Sequence, residues 1–538
     1  MFRYVTALLV ATLTLAFLSY STPPAWAATE DWPQLGEDII GTITSTDAGE
    51  SVAISNDGSI IAVGSWESTV PGNGSVRIYE LIAGGWVLRG SPLTGAAAND
   101  RFGNGLALSA DGLTVAIGAP VNGSSRGQVS VSSWNGSSWV AKGSALIGSA
   151  TNTQFGYAVS LSADGDTLAV GAPNETSAAG KVYVYEWDAS TTAGSTPVTI
   201  AGAEAAETFG RALDLNSDGS VLVVGARGND DGGSNSGETR VYTLAGGAAT
   251  PRGGDIPGQA AGDLSGHAVS ISGDGTVIAI GAPENDGGGA DSGHVRTFEW
   301  GGVSWTQRGG DIEGDAAGDE FGYAVDLSTD GLTLIAGSPK RTALLGAIRM
   351  LTYSSNTWGE LLSIVGETAA EEFGSSVALS GDATTFMGGA PSADTVTTNS
   401  GLARVFRLRV SSESSSTQST GTPGTPGIYL HVAGPVGRHG AGSPVYYGSD
   451  RVALTSTYLL SITRLDTTAS HRVLASGVVD ARGNLEARAL LPDLEPGAYD
   501  VVFVGKHRGG AGLRLSARLV VSPTGQIELL GENRPQLW

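Results

Sequence analysis

One repeat dominates this sequence of 538 residues and leaves few folds open to it. The segment "FGYAVSLSADGDTLAVGAP" at 155–173 returns as "FGNGLALSADGLTVAIGAP" from 102 and as "SGHAVSISGDGTVIAIGAP" from 265. Weaker copies start at Ala48, Phe209, Phe321 and Phe373. A turn aspartate indexes each copy: Asp57, Asp111, Asp164, Asp218, Asp274, Asp330 and Asp382, with separations of 54, 53, 54, 56, 56 and 52 residues. A period near fifty marks a propeller or a solenoid, and the coils of an open β-solenoid usually repeat over far shorter stretches.

Inside one copy, "YAVSLS" and "TLAVGAP" flank "ADG", a hairpin turn between two β-rich runs. "KVYVYEW" then alternates Val182 and Val184 as a half-buried strand does, and a fourth run, clearest as "WTQRGGDIEG" at 305–314, precedes the next copy. Four antiparallel strands per copy follow. A lone four-stranded sheet cannot bury both faces, whereas seven stacked radially can. The predicted class is all-β, with a seven-bladed β-propeller over 28–410. The fourth run follows copies one to six but not the seventh, so "WPQLGEDIIG" at 32–41 is predicted as the outer strand of blade seven, closing the ring and covering an exposed edge.

Outside the ring, Arg3, the apolar run "VTALLVATLTLAFL" and the small residues Ala25 and Ala27 read as a signal peptide over 1–27, cleaved between Ala27 and Ala28. No other run is long enough to span a bilayer, so a secreted or cell-surface location is expected. Residues 411–427 read as a Ser/Thr/Gly/Pro-rich linker, 428–523 as an immunoglobulin-like β-sandwich and 524–538 as a C-terminal tail. The absence of cysteine excludes disulfides and thiolate metal sites. A net charge of −23 argues against nucleic-acid partners.

The in-phase Phe-Gly and Gly-Ala-Pro pairs resemble the FG-GAP repeat of integrin α-chain propellers and of many secreted bacterial and algal proteins. The resemblance implies a monomeric, non-enzymatic scaffold for adhesion or binding, its partner an extracellular protein or glycan. A polysaccharide-degrading propeller and a structural envelope or matrix protein are the alternatives. Calcium is the cofactor it implies, held in D-x-[DN]-x-D-G loops. Asp214, Asn216 and Asp218 match that loop best, and Asp326 and Asp330 match it less well. Leu222 and Leu334 stand where the family has a further aspartate, which leaves these loops largely degenerate.

With integrin-like topology, the loops bearing Asn229, Asp230, Asp231, Asn285, Asp286 and Asp291 share a face with Asp100, Asp263 and Asp319, making an acidic ligand-binding rim. No catalytic residue is assigned. Gly123 to Gly127 fits G-x-S-x-G but lies between strands, and the six histidines show no zinc-protease spacing.

Overall fold

The computed structural model describes residues 30–410 apart from 42–46, 67–71, 188–195 and 396–397, and, beyond them, the backbone of strands between 429 and 537. The chain divides into two compact units, 1–412 and 413–538.

Blade three shows how one repeat folds. Its inner strand Val159–Leu161 pairs with Thr167–Ala172, then Lys181–Glu186, then the outer strand Val198–Ala201, all antiparallel. Six further sheets keep this order, and all seven inner strands surround one axial cavity, giving a seven-bladed β-propeller. Second strands such as Val221–Ala226 and Val277–Ala282 are buried at every position, because each lies between two neighbouring blades. This explains their unbroken apolar runs. Core clusters straddle the blades: Val182 and Val184 of blade three pack with Phe209, Leu213 and Leu222 of blade four.

The repeated glycines are the joints. The amide of Gly156 donates to the carbonyl of Gly171 within blade three, and the α-carbon of Gly171 abuts the carbonyl of Gly210 in blade four. A Cβ on Gly171 would lie under 3.0 Å from that carbonyl. The same contact joins Gly64 to Gly103, Gly118 to Gly156, Gly225 to Gly266, Gly281 to Gly322, Gly337 to Gly374 and Gly389 to Gly49. The Phe-Gly and Gly-Ala-Pro pairs are therefore two halves of one inter-blade contact. Beside each joint a parallel bridge links the glycine that opens a third strand to the next blade, as Gly127 to Phe155 and Gly180 to Phe209. The phenylalanine ring then plugs the gap: Phe155, Phe209, Phe321 and Phe373 are fully buried.

On the opposite face the turns are tied together. Main-chain amides donate from Asn56 to Ala110, Ala110 to Ala163, Ala163 to Ser217, Ser217 to Gly273, Gly273 to Thr329 and Thr329 to Gly381, a belt running from blade one to blade seven.

Two expectations about fold class are corrected. No separate closing strand spans 32–41; only Ile39–Ile40 pairs with the third strand of the last blade, Leu402–Arg407, and Gln34 adds an isolated bridge to Phe406. Blade one meets blade seven through the same kind of joint as every other pair, Gly389 against Gly49 and Ala48 bridged to Gly401, which is why no dedicated strand is required. Nor is an immunoglobulin-like sandwich evident over 428–523 among the described residues. The backbone there forms a three-stranded sheet and a six-stranded sheet, and the larger one takes in Ile527–Leu530 and Gln536–Leu537. The expected signal peptide and linker lie outside the described residues.

Candidate functional site

The midpoints of the inner strands line an axial cavity of about 250 Å3 with Ala53, Ala107, Ser160, Asp214, Ser270, Asp326 and Ala378. Three of these positions are alanine, and the polar residues are contiguous. Asp214 accepts from Ser160 Oγ at 2.9 Å and from the main-chain amide of Ile271 in the next blade at 3.0 Å. Ser270 Oγ donates to Asp326 at 3.1 Å, and Asp326 accepts from the amide of Leu379 at 2.7 Å. The carboxylates thus cross-link blades three to seven at the axis.

Burial raises Asp214 from 3.8 to about 6 against the pull of these hydrogen bonds. Burial, and next the charge of Asp214, raises Asp326 to about 7. Unfolded carboxylates titrate near ~4, so between that value and the folded ones the native ring binds protons that the unfolded chain does not. Stability from this pair is therefore largest at low pH and is lost as pH rises through about 6 to 7. Asp326→Asn is expected to flatten that slope. Its melting temperature relative to the parent should rise by several degrees from about pH 5 to about pH 8; a difference independent of pH would contradict the assignment.

At the joint face, four residues that each follow a joint glycine, Arg211, His267, Tyr323 and Ser375, line a second pocket, with Glu50 and Tyr157, at the same position in their blades, nearby. Four of them differ sharply in chemistry on one side of the ring. Arg211 stacks over the Tyr157 ring at 4.5 Å, and His267 lies 4.7 Å from the Tyr323 ring. Arg227 Nη1 is 3.2 Å from His267 Nδ1, so the guanidinium donates and the imidazole accepts. Burial, then the charges of Arg227 and Arg211, pushes His267 down to about 3 and keeps it neutral. A pocket of about 290 Å3 opens here between Arg211, Arg227, His267, Tyr323 and the loop prolines Pro283 and Pro339. Glu320 in its wall pairs with Lys340, whereas Arg211 and Arg227 form no ion pair among the described residues.

With this geometry in hand, the sequence profile described as the FG-GAP repeat matches residues 148–185 and 257–298, which lie in blades three and five. The chain carries FG-GAP repeats. No match was found among curated protein sequences. Of solved structures, a candidate 6-phosphogluconolactonase from Bacteroides uniformis is similar at 11% identity and a TM-score of 0.46, covering 80% of this chain and 99% of that one.

In the FG-GAP propeller the residues expected to hold calcium do separate work. Asp214 and Asp326 point into the axial cavity, away from the turns. Asn216 caps its turn by accepting from the Val221 amide at 2.8 Å, as Ser162 does for Thr167 at 2.9 Å in blade three. Asp218 accepts from the amide and hydroxyl of Ser220, and Asp330 from Ser328 Oγ and the Leu332 amide. The pattern at 214–219 is thus a Ser-x-Asp-Gly turn with asparagine in the serine position.

The rim residues come together pairwise as loop braces. Asn122 Nδ2 donates to Asp100 at 2.8 Å, and Asn285 Nδ2 to Asp263 at 3.1 Å. Asn229 caps the Asp231 amide, Asp230 takes the amide of Asn235, and Asp286 that of Asp291. Asp319 accepts from the Ala316 amide. Asp100, Asp263 and Asp319 are buried, while Asp230, Asp231, Asp286 and Asp291 are exposed.

Blade five also gathers His294, Asp311 and Glu313, whose ligand-type atoms lie within 4.8 Å of one another. His294 opens the third strand and sits directly opposite Glu313 across the sheet. The expectation of a purely non-enzymatic scaffold is corrected by this cluster, since a buried imidazole beside two carboxylates is a candidate metal-ligand triad. Helical spacing, the measure applied to the six histidines in the sequence, is the wrong period for a strand pair. The signal that could find the cluster is an alignment of the repeats, because the first residue of the third strand faces the end of the fourth run in each blade.

No helix among the described residues is long and apolar enough to cross a membrane.

Proposed function

We propose that this propeller is an exported binding protein whose ligand is a terminal, carboxylate-bearing sugar of an extracellular glycan, taken up at the mouth of the ring. The observation that carries the reading is the pair of guanidiniums, Arg211 and Arg227, without ion-pair partners among the described residues and backed by tyrosines. Burial, and then the like charge of Arg211, lowers the pKa of Arg227. A carboxylate placed between the two would relieve that repulsion, and guanidinium forks suit carboxylates geometrically. Tyr323 lines the pocket and is 36% exposed, which leaves ring surface beside His267 for the C–H surface of a sugar. A volume of about 290 Å3 fits a chain end rather than a polymer segment. The net charge of −23 disfavours long polyanions by repulsion. The signal-like residues 1–27 support export.

Calorimetry on the full chain tests this with short oligouronides and with neutral oligosaccharides of equal length. Uronides are expected to bind and neutral sugars not. Arg211→Ala combined with Arg227→Ala is expected to weaken binding by at least about a hundredfold, because both charged donors to the carboxylate are removed. Equal affinity for neutral sugars, or unchanged affinity in the double variant, would refute the reading.

A further inference from the structure

We propose that His294, Asp311 and Glu313 form a site for a divalent transition metal, with zinc the best fit, at the outer part of blade five on the same face as the mouth. The first observation is the grouping itself, one imidazole and two carboxylates within 4.8 Å. The second is independent of it. His294 is 1% exposed, and neither of its ring nitrogens has a hydrogen-bond partner; Glu313 Oε2 is likewise buried and without one. Buried imidazoles and carboxylates ordinarily find partners, because desolvating them without one is unfavourable. A metal ion satisfies both groups at once.

The other blades show what the alternative looks like. At the positions of His294 and Glu313, blade four has Glu238 and Pro257, blade three Lys181 and Ala201, and blade six Ala347 and Val365. In blade four the third-strand arginine, Arg240, neutralises its surroundings through Glu238, Glu207 and Asp255. Arg404 does so in blade seven through Glu371, Glu367 and Asp38. Blade five has Arg296 at that position, but Asp263 stands where blade four has Glu207, one methylene shorter. Arg296 instead donates to the Pro257 carbonyl and to Ser265 Oγ, and forms no ion pair among the described residues. Asp311 and Glu313 thus form no ion pair among the described residues, and the charge of Arg296 reaches Asp311 only through space.

The surroundings also fix the donors. Gln307 Nε2 donates to one oxygen of Asp311 at 2.6 Å and Gln259 Nε2 to the other at 2.9 Å, which sets the plane of that carboxylate. Glu313 lies against Gly287, where any Cβ would come within 2.5 Å of Oε2. Nitrogen with two carboxylate oxygens suits zinc, leaves a fourth position for water or a ligand atom, and is poorer for calcium, which takes oxygen donors.

Titration of the full chain with zinc chloride alone is the test. One saturable site per chain is expected in the parent. His294→Ala and Glu313→Gln should each lose it, the second with its shape preserved, and Asp286→Asn, nearby and outside the set, should keep it. Gly287→Ala removes no ligand but displaces Glu313, and should weaken zinc at least tenfold. Calcium should bind at least tenfold more weakly than zinc. The proposal is overturned by the absence of a saturable zinc site in the parent, by retention of the site in both His294→Ala and Glu313→Gln, or by equal affinity for calcium.

Discussion

Gly281→Val is expected to destabilise the full chain by about 3 kcal/mol or more, read as a shift of the urea midpoint. The new Cβ would meet the carbonyl oxygen, carbonyl carbon and α-carbon of Gly322, all main-chain atoms of the next blade. Main chain held in a ladder cannot swing aside as a flexible side chain can. To make room, blades five and six would have to separate, opening the core between them that includes Val295, Phe321 and Leu334. Gly310→Ala is the control, since nothing lies within 4 Å of a Cβ there and no unusual backbone angle is needed. It should change stability by no more than ~0.5 kcal/mol. Similar midpoints for the two variants would show that the glycine joint does not limit how closely the blades approach.

The second large effect is expected at Glu371. Its carboxylate is fully buried and accepts from both terminal nitrogens of Arg404, at 2.7 and 3.3 Å, and from the main-chain amides of Glu367 and Thr368. Burial alone would raise its pKa, but the hydrogen bonds from Arg404, Thr368 and the Glu367 amide outweigh that and hold it below the ordinary value. Glu371→Ala strands two amides and most of the Arg404 charge, at a cost of roughly 3–5 kcal/mol. Glu371→Gln keeps the shape and should lose less. Because the native group holds its charge below the ordinary carboxylate pKa, its contribution is complete above that range and fades as pH falls through the folded value. The gap between parent and Glu371→Ala should therefore narrow in acid. A loss below ~0.5 kcal/mol at neutral pH would mean that Asp38 and Glu367 suffice for Arg404.

Both effects bear on what could be foreseen. The repeat spacing carried the blade count, because every blade must make the same contacts with its neighbours and those contacts are encoded by small residues at fixed offsets. The pairing of Gly171 with Gly210 is such a case, visible as a motif although its physical meaning emerges only when two blades meet. The pocket beside Arg211 and His267 was not visible. Arg211, His267 and Tyr323 occupy the one position after the joint glycine that is free to vary, and a search for recurring residues passes over it.

The residues of the calcium pattern are parted for a different reason. Asp214 and Asp218 are four residues apart in sequence, but one faces the axis from the inner strand and the other holds the turn that follows it. The metal-type cluster depends on a rung of the sheet, His294 opposite Glu313, which helical spacing misses and only the repeat alignment reveals. Short alternating runs past residue 428 suggested a sandwich, but alternation alone does not assign strands to sheets.

The belt of turn hydrogen bonds has one further consequence. It links blade one through to blade seven in six steps, and no matching main-chain bond returns from Gly381 to Asn56 among the described residues. At the same seam Ala48 stands where five of the other six joints carry phenylalanine. The ring resembles a bracelet whose clasp is built differently from its links. Because the clasp joins the first blade to the last, a chain emerging from the ribosome can fasten it only after all the others. The final step of assembly therefore rests on contacts other than the belt: the Gly389–Gly49 joint and the pairing of Ile39–Ile40 with the last blade.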